Sequence, residues 1–252
     1  MLLNEMSRQG QFLFRYRSYL PLLLVPFGIW QLSLYRSYVG GSHVYDMVWD
    51  FACFGLALVG SLTRFLSIGY AQSGTSGRNT SAGQVADALN TKGMYSLVRH
   101  PLYLGNLIMY TAALLFTKSI WFALAGCLAL VLYYERIIAT EEEYLRGKFG
   151  DSLNEWANRT PCWFPKFSHW VKPGIEFSFK AGLRSEFYSL VGIVVVFYIL
   201  DLFEHYFVEH VFRVDMIWNV LLVSSVAMFF ILRFLRKNTK LLDTKRERFE
   251  SN

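Results

Sequence analysis

The chain has 252 residues, of which 54% are hydrophobic and 17% charged, and its mean hydropathy is +0.28. Soluble domains carry roughly a quarter charged residues; this shortfall, with 22 Phe, 15 Tyr and 7 Trp, excludes a disordered chain and argues against a soluble enzyme. The net charge of +6 reads as an uneven distribution of Lys and Arg across a membrane, with no nucleic-acid partner. Cys53, Cys127 and Cys162 are too scattered for a disulfide framework or a paired-cysteine zinc site.

Six apolar segments follow in order: 18–38, 47–69, 101–117, 119–139, 186–207 and 214–235. Each approaches the roughly 20 residues that a helix needs to cross a bilayer. They predict an all-α, polytopic membrane protein. The first contains Pro21 and Pro26, runs into Trp30 and lacks a small-x-small cleavage site, so it is not read as a signal peptide. The third is short, but only Lys118 and Ser119 join it to the fourth, which predicts an antiparallel helical hairpin. The chain divides into N-terminal spans (1–70), a core with the hairpin (71–185), and C-terminal spans with a basic tail (186–252).

Six spans place both termini and the loops 70–100 and 140–185 on one side. That side holds most of the Lys and Arg, among them Arg8, Arg15, Arg17, Arg64, Arg146 and Lys148. The other side has Arg36, Lys118 and Arg213. The positive-inside rule then puts the long loops in the cytoplasm. Residues 71–94 are rich in Gly, Ser, Thr and Asn, and read equally as a ligand-approaching loop or a flexible linker. Asp201, Glu204, His205, Glu209 and His210 lie at the outer end of the fifth span. Such residues can hold a metal. They are read instead as a solvated rim or as interhelix hydrogen bonds, and no metal is expected.

The informative stretch is Gly93-Met-Tyr95-Ser-Leu97-Val98-Arg99-His100-Pro101-Leu-Tyr103-Leu-Gly105-Asn106. Pro101 suits the first position of a helix. Arg99 and His100 then sit at the mouth of the third span, beside helix-end N–H groups that favour an anion. A second stretch runs from Arg136 through Glu141-Glu142-Glu143 to Phe149-Gly150, and is followed by Pro161 and Pro165. At about 1.5 Å of rise per residue, the hairpin sets Arg136 level with Pro101. The arms therefore bring Arg99, His100, Tyr103, Arg136 and the glutamates to one place near the membrane surface.

This pattern resembles the isoprenylcysteine carboxyl methyltransferase and phospholipid methyltransferase superfamily over about 90–166. The matching positions are Gly93, Tyr95, Arg99, His100, Pro101, Tyr103, Gly105, Glu141, Glu142, Leu145, Phe149, Gly150, Pro161 and Pro165. Leu153 and Trp156 stand where the family often has tyrosines. The resemblance implies an integral-membrane methyltransferase using S-adenosylmethionine, with a membrane lipid as substrate and no protein partner required. Implied cofactor contacts are Tyr95, Leu97, Val98, His100, Tyr103, Gly105, Asn106 and Glu142. Arg99, Arg136 and Glu141 are implied in catalysis, and no metal is. The stretch 74–106 looks like a bacterial branch that includes a methyltransferase of a lipid A phosphate, which implies the bacterial inner membrane; Arg78 and Lys92 would suit that acceptor. A prenylcysteine carboxylate and a phospholipid amine remain alternative acceptors. A steroid-reductase-type enzyme with a nicotinamide cofactor is the rival of another class, and the glutamate and proline pattern argues against it.

Overall fold

The computed structural model describes residues 2–17, 19–35, 37–71, 79–80, 83–84 and 86–239. Arg36, Arg78 and the tail from Lys240 lie outside the described residues. Within them, α1 (Leu2–Arg15) precedes a 3-10 turn (Leu20–Leu23) and α2 (Leu24–Ser33). The long α3 (His43–Gly69) follows. A minimal antiparallel pairing, β1 (Asn79–Thr80) with β2 (Gly83–Gln84), interrupts the connection to α4 (Met94–Leu97). Then come α5 (Pro101–Phe116), α6 (Ile120–Phe149), α7 (Asp151–Arg159), α8 (Phe179–Glu209) and α9 (Met216–Asn238).

The architecture is the expected all-helical one. The helices α3, α6, α8 and α9 are long and apolar enough to cross a membrane, while 20–33 and α5 are shorter apolar segments. The expected first span is therefore corrected. It does not run unbroken over 18–38, because Pro21 opens a 3-10 turn and α2 has ended by Leu34. α1 is not among the six apolar segments, since its apolar residues form a face and not a run. α1 docks on α6 through Gly10, where a side chain would strike the Arg136 carbonyl and the Thr140 hydroxyl.

Lipid chains are as apolar as leucine, so helices in a bilayer associate through close packing and polar contacts. Outward-facing Leu58, Leu124, Leu128 and Phe230 are exposed accordingly. The α3–α5 contact shows the close packing. A Cβ at Gly60 would lie 2.6 Å from the Gly105 carbonyl, and one at Gly105 would lie 2.7 Å from the Gly60 carbonyl. Trp218, Phe116, Phe197, Leu32 and Ala57 form a shared core of α2, α3, α5, α8 and α9. Phe14, Tyr103, Tyr134 and Ile137 form a second core that joins α1 to the hairpin.

The hairpin has the predicted register. Lys118 takes a left-handed conformation in the turn (φ 56°), and Ser119 caps α6 by accepting from the Phe122 N–H. The Tyr103 and Tyr134 rings then stack with centroids 5.2 Å apart. With 30 residues, α6 is about 45 Å long. That exceeds a ~30 Å bilayer core, so its charged end projects beyond the apolar layer.

Lys118 is buried, and its Nζ meets Asp46 at 3.1 Å, Asp50 at 2.9 Å and also Glu204. Asp201, Glu204 and His205 do not form a solvated rim. All are about 1% exposed and bind other helices or the chain's own backbone, while Glu209 and His210 stay exposed. Unpaired charge at that depth is costly, which explains why opposite charges meet there.

Candidate active site

Local backbone geometry fixes the motif residues first. Gly93 has φ 60°, and its N–H donates to the Val171 carbonyl at 2.9 Å. The Ser96 hydroxyl donates to the Gly93 carbonyl at 2.7 Å and accepts from the Val171 N–H at 2.9 Å. The Arg99 N–H donates to the Pro161 carbonyl at 2.9 Å, and the Lys166 N–H donates to the Leu97 carbonyl at 3.0 Å. The Trp156 indole donates to the Tyr95 carbonyl at 3.1 Å. The proline-flanked segment 161–165 is thus stitched along 95–99, which holds the mouth of α5 rigid.

Pro101 starts α5, and His100 is its N-cap residue without using its side chain as a cap. That ring is committed elsewhere. Glu142 Oε1 accepts from Arg99 Nη1 at 2.7 Å and from His100 Nε2 at 3.1 Å. One carboxylate therefore clamps both motif residues, through charge-assisted bonds of the stronger kind. The His100 ring stacks on Tyr103, with centroids 5.7 Å apart.

Glu141, the next residue, behaves differently. Its Oε2 is buried and has no hydrogen-bond partner; His100 Nδ1 is 3.8 Å away. Arg99 Nε and the Tyr134 hydroxyl are likewise buried without partners. Burial and the nearby Glu141 carboxylate push the Tyr95 phenol well above its ordinary pKa, so it stays a neutral donor. Burial also pushes the Cys162 thiol up, although Arg99 pulls the other way. Cys162 lies near His100 and Glu142, yet it stays a thiol, and the other two already bind each other.

These groups face a cavity of about 570 Å³. Its wall includes Tyr95, Arg99, His100, Tyr103, Asn106 and Glu141. The size falls within the roughly 300–1,000 Å³ of small-molecule sites. Away from this polar end, the wall continues along one face of α5 (Met109, Ala113) and one face of α8 (Ile193, Val196, Phe197). From Ser185 to Phe197 that groove follows α8 for about 18 Å.

Other residues singled out in the sequence lie elsewhere. Leu97 and Val98 are buried behind the mouth. Gly105 packs on Gly60 and the Arg64 stem. Lys92 is exposed and outside the cavity wall. Arg136 is on the α1 side of α6, where its Nε donates to Gln9 at 3.0 Å and its Nη1 to the Leu132 carbonyl at 2.8 Å. The hairpin height was predicted well, but helix rotation turns Arg136 away from the cavity.

Arg17, Arg64, Tyr134 and Trp156 reach the wall without having been foreseen as site residues. Arg64 Nε and Nη2 each donate to Glu186 at 2.7 Å, and Nη1 donates to Asn106 Oδ1 at 2.6 Å. It ties α3, α8 and α5 together behind the cavity. The available signal was an arginine inside one apolar segment and a glutamate opening another, a pair that lipid drives together.

The model of the phospholipid methyltransferase family matches residues 48–152, from α3 into the start of α7. Over those residues the chain is similar to that family. Arg64, Arg99, His100, Glu141 and Glu142 fall inside the family segment; Arg17 and Glu186 fall outside it. Among curated relatives, the cobalt-zinc-cadmium resistance protein CzcN of Cupriavidus metallidurans is 38% identical over 34% of this chain and 40% of its own length. The nickel-cobalt-cadmium resistance protein NccN of Alcaligenes xylosoxydans is 30% identical over 49% of this chain and 59% of its own. The protein-S-isoprenylcysteine O-methyltransferase of Schizosaccharomyces pombe is 34% identical over 31% of this chain and 33% of its own. The chain thus spans between a third and three fifths of the length of the relatives it matches. No solved structure matches.

Proposed function

We propose that this chain is an integral-membrane, S-adenosylmethionine-dependent methyltransferase acting on an anionic lipid headgroup, a lipid phosphate such as that of lipid A. The observation that carries this reading is the two-ended cavity. Its polar end contains Glu141, whose Oε2 is buried without a hydrogen-bond partner, and its other end is an apolar groove between α5 and α8.

The residues fit the cofactor. A buried carboxylate oxygen without a donor suits an ammonium group, and Arg99 Nε and the Tyr134 hydroxyl offer polar contacts. Once bound, the cofactor would supply an electrophilic methyl group. A phosphate oxygen is already ionised near neutral pH, so these residues need only hold the acceptor oxygen in line and exclude water. The groove would take the acyl chain. Arg17 on the wall is the cation best placed for the headgroup, in place of Arg136. Arg78 lies outside the described residues.

The test is methyl transfer from labelled cofactor to phosphorylated lipids, compared with the same lipids after phosphatase treatment. Transfer should be lost with the phosphate; equal transfer to the treated lipid rejects this acceptor. Arg136→Lys should keep the rate within about twofold of wild type, because Arg136 faces α1. A tenfold loss would return it to the reaction.

The charge distribution supports a bacterial inner-membrane location with the cavity mouth facing the cytoplasm. A cysteine introduced at Lys172, which is exposed, should react with an impermeant reagent only after the membrane is opened. Labelling in intact cells would reverse the orientation.

A further inference from the structure

We propose that the end of the bundle opposite the cavity binds a divalent transition-metal ion between His43, His205 and Asp215. The three come from the start of α3, the end of α8 and the residue before α9. All lie outside the family segment 48–152, and none lines the cavity.

His205 carries the inference. Its Nδ1 lies 3.0 Å from the Asp201 carbonyl, an acceptor, so Nδ1 bears the proton. In the neutral ring Nε2 is then a lone pair. That atom is buried and has no hydrogen-bond partner. The group it faces is Asp215 Oδ1 at 3.6 Å, another acceptor. A buried imidazole lone pair turned toward a carboxylate oxygen favours a cation between them.

The third ligand is in place. His43 Nε2 lies 3.1 Å from Asp215 Oδ2, so Asp215 presents one oxygen to each imidazole. The donor atoms of all three residues lie within 4.8 Å of one another. A tetrahedral ion with bonds of about 2.0–2.1 Å spaces its ligands by roughly 3.3 Å. The imidazole–carboxylate distances of 3.1 Å to Oδ2 and 3.6 Å to Oδ1 lie near that spacing, so a small movement of the carboxylate would bring one oxygen to both rings.

Supporting contacts resemble those of built metal sites. The Asp201 carbonyl fixes the His205 tautomer, and Asp201 Oδ2 accepts the Asp215 N–H at 3.0 Å. Tyr38 packs edge-on against both imidazoles. His43 and Asp215 are 31% and 15% exposed, which leaves a fourth position open to solvent. The adjoining Asp46, Asp50 and Glu204 are held by Lys118 and are not ligands. Two imidazoles and one carboxylate select Zn²⁺, Co²⁺ or Ni²⁺ over Mg²⁺ or Ca²⁺.

The test uses the full chain in detergent, stripped with chelator and titrated with zinc chloride or cobalt chloride alone. Calorimetry should give one site, bound Co²⁺ should show the visible bands of a tetrahedral complex, and Zn²⁺ should raise the melting temperature. Asp215→Asn and His43→Gln should each weaken binding by about 100-fold or more. His43 is partly exposed, so its variant is expected to fold; equal melting temperatures without metal would verify that. Cys162→Ser, at the cavity end, should bind like wild type. The proposal is overturned if no metal binds, which would leave a second proton on His205 as the occupant. It is also overturned if Cys162→Ser abolishes binding while His43→Gln does not.

Discussion

Replacing Glu186 with Leu is expected to destabilise the protein by about 3–5 kcal/mol, the cost of leaving one member of a buried ion pair alone. Glu186 is 1% exposed and accepts two 2.7 Å bonds from Arg64. Without it the guanidinium keeps only its bond to Asn106. Denaturant titration in mixed micelles measures the loss. The double variant Arg64→Met, Glu186→Leu removes both charges and should recover most of the stability. Its methyl-transfer rate should nevertheless stay low, because Arg64 lies on the cavity wall and orders Asn106. A single Glu186→Leu variant within 1 kcal/mol of wild type would show that the pair does not hold α3 to α8.

The second large effect separates two adjacent glutamates. Glu141→Gln should weaken S-adenosylmethionine binding by roughly 10- to 150-fold, which corresponds to ~1.5–3 kcal/mol for a hydrogen bond to a charged group. Without cofactor, the same variant should melt at or above the wild-type temperature, because it removes a buried carboxylate oxygen that has no partner. Glu142→Gln should weaken binding as well, but by another route. It loosens the clamp on Arg99 and His100, so its melting temperature should fall even without cofactor. Calorimetry and thermal melts on both variants make the comparison. Undiminished affinity in Glu141→Gln would remove that residue from the cofactor site. Matching melting temperatures for the two variants would remove the distinction between contact and clamp.

The sequence by itself determined the class of fold and which motif residues meet at the mouth of the hairpin. Apolar runs near bilayer length dictate membrane helices, because every backbone polar group in lipid must be satisfied within the segment. The two-residue break at Lys118 and Ser119 dictated the hairpin, and counting along its arms placed His100 near the glutamates. These are one-dimensional properties, set by length and by rise per residue.

The tertiary structure alone decided which way each side chain turns. Arg136 has the predicted height but binds Gln9, because Gly10 lets α1 lie against that face of α6. Glu141 and Glu142 are neighbours in sequence, yet about 100° of helical rotation sends one to the cavity and the other to Arg99 and His100. Arg64 with Glu186, and His43 with His205 and Asp215, join residues more than a hundred positions apart. Spacing along one helix cannot reveal such partners. They meet because a buried charge or lone pair must find its complement on whichever helix packs beside it.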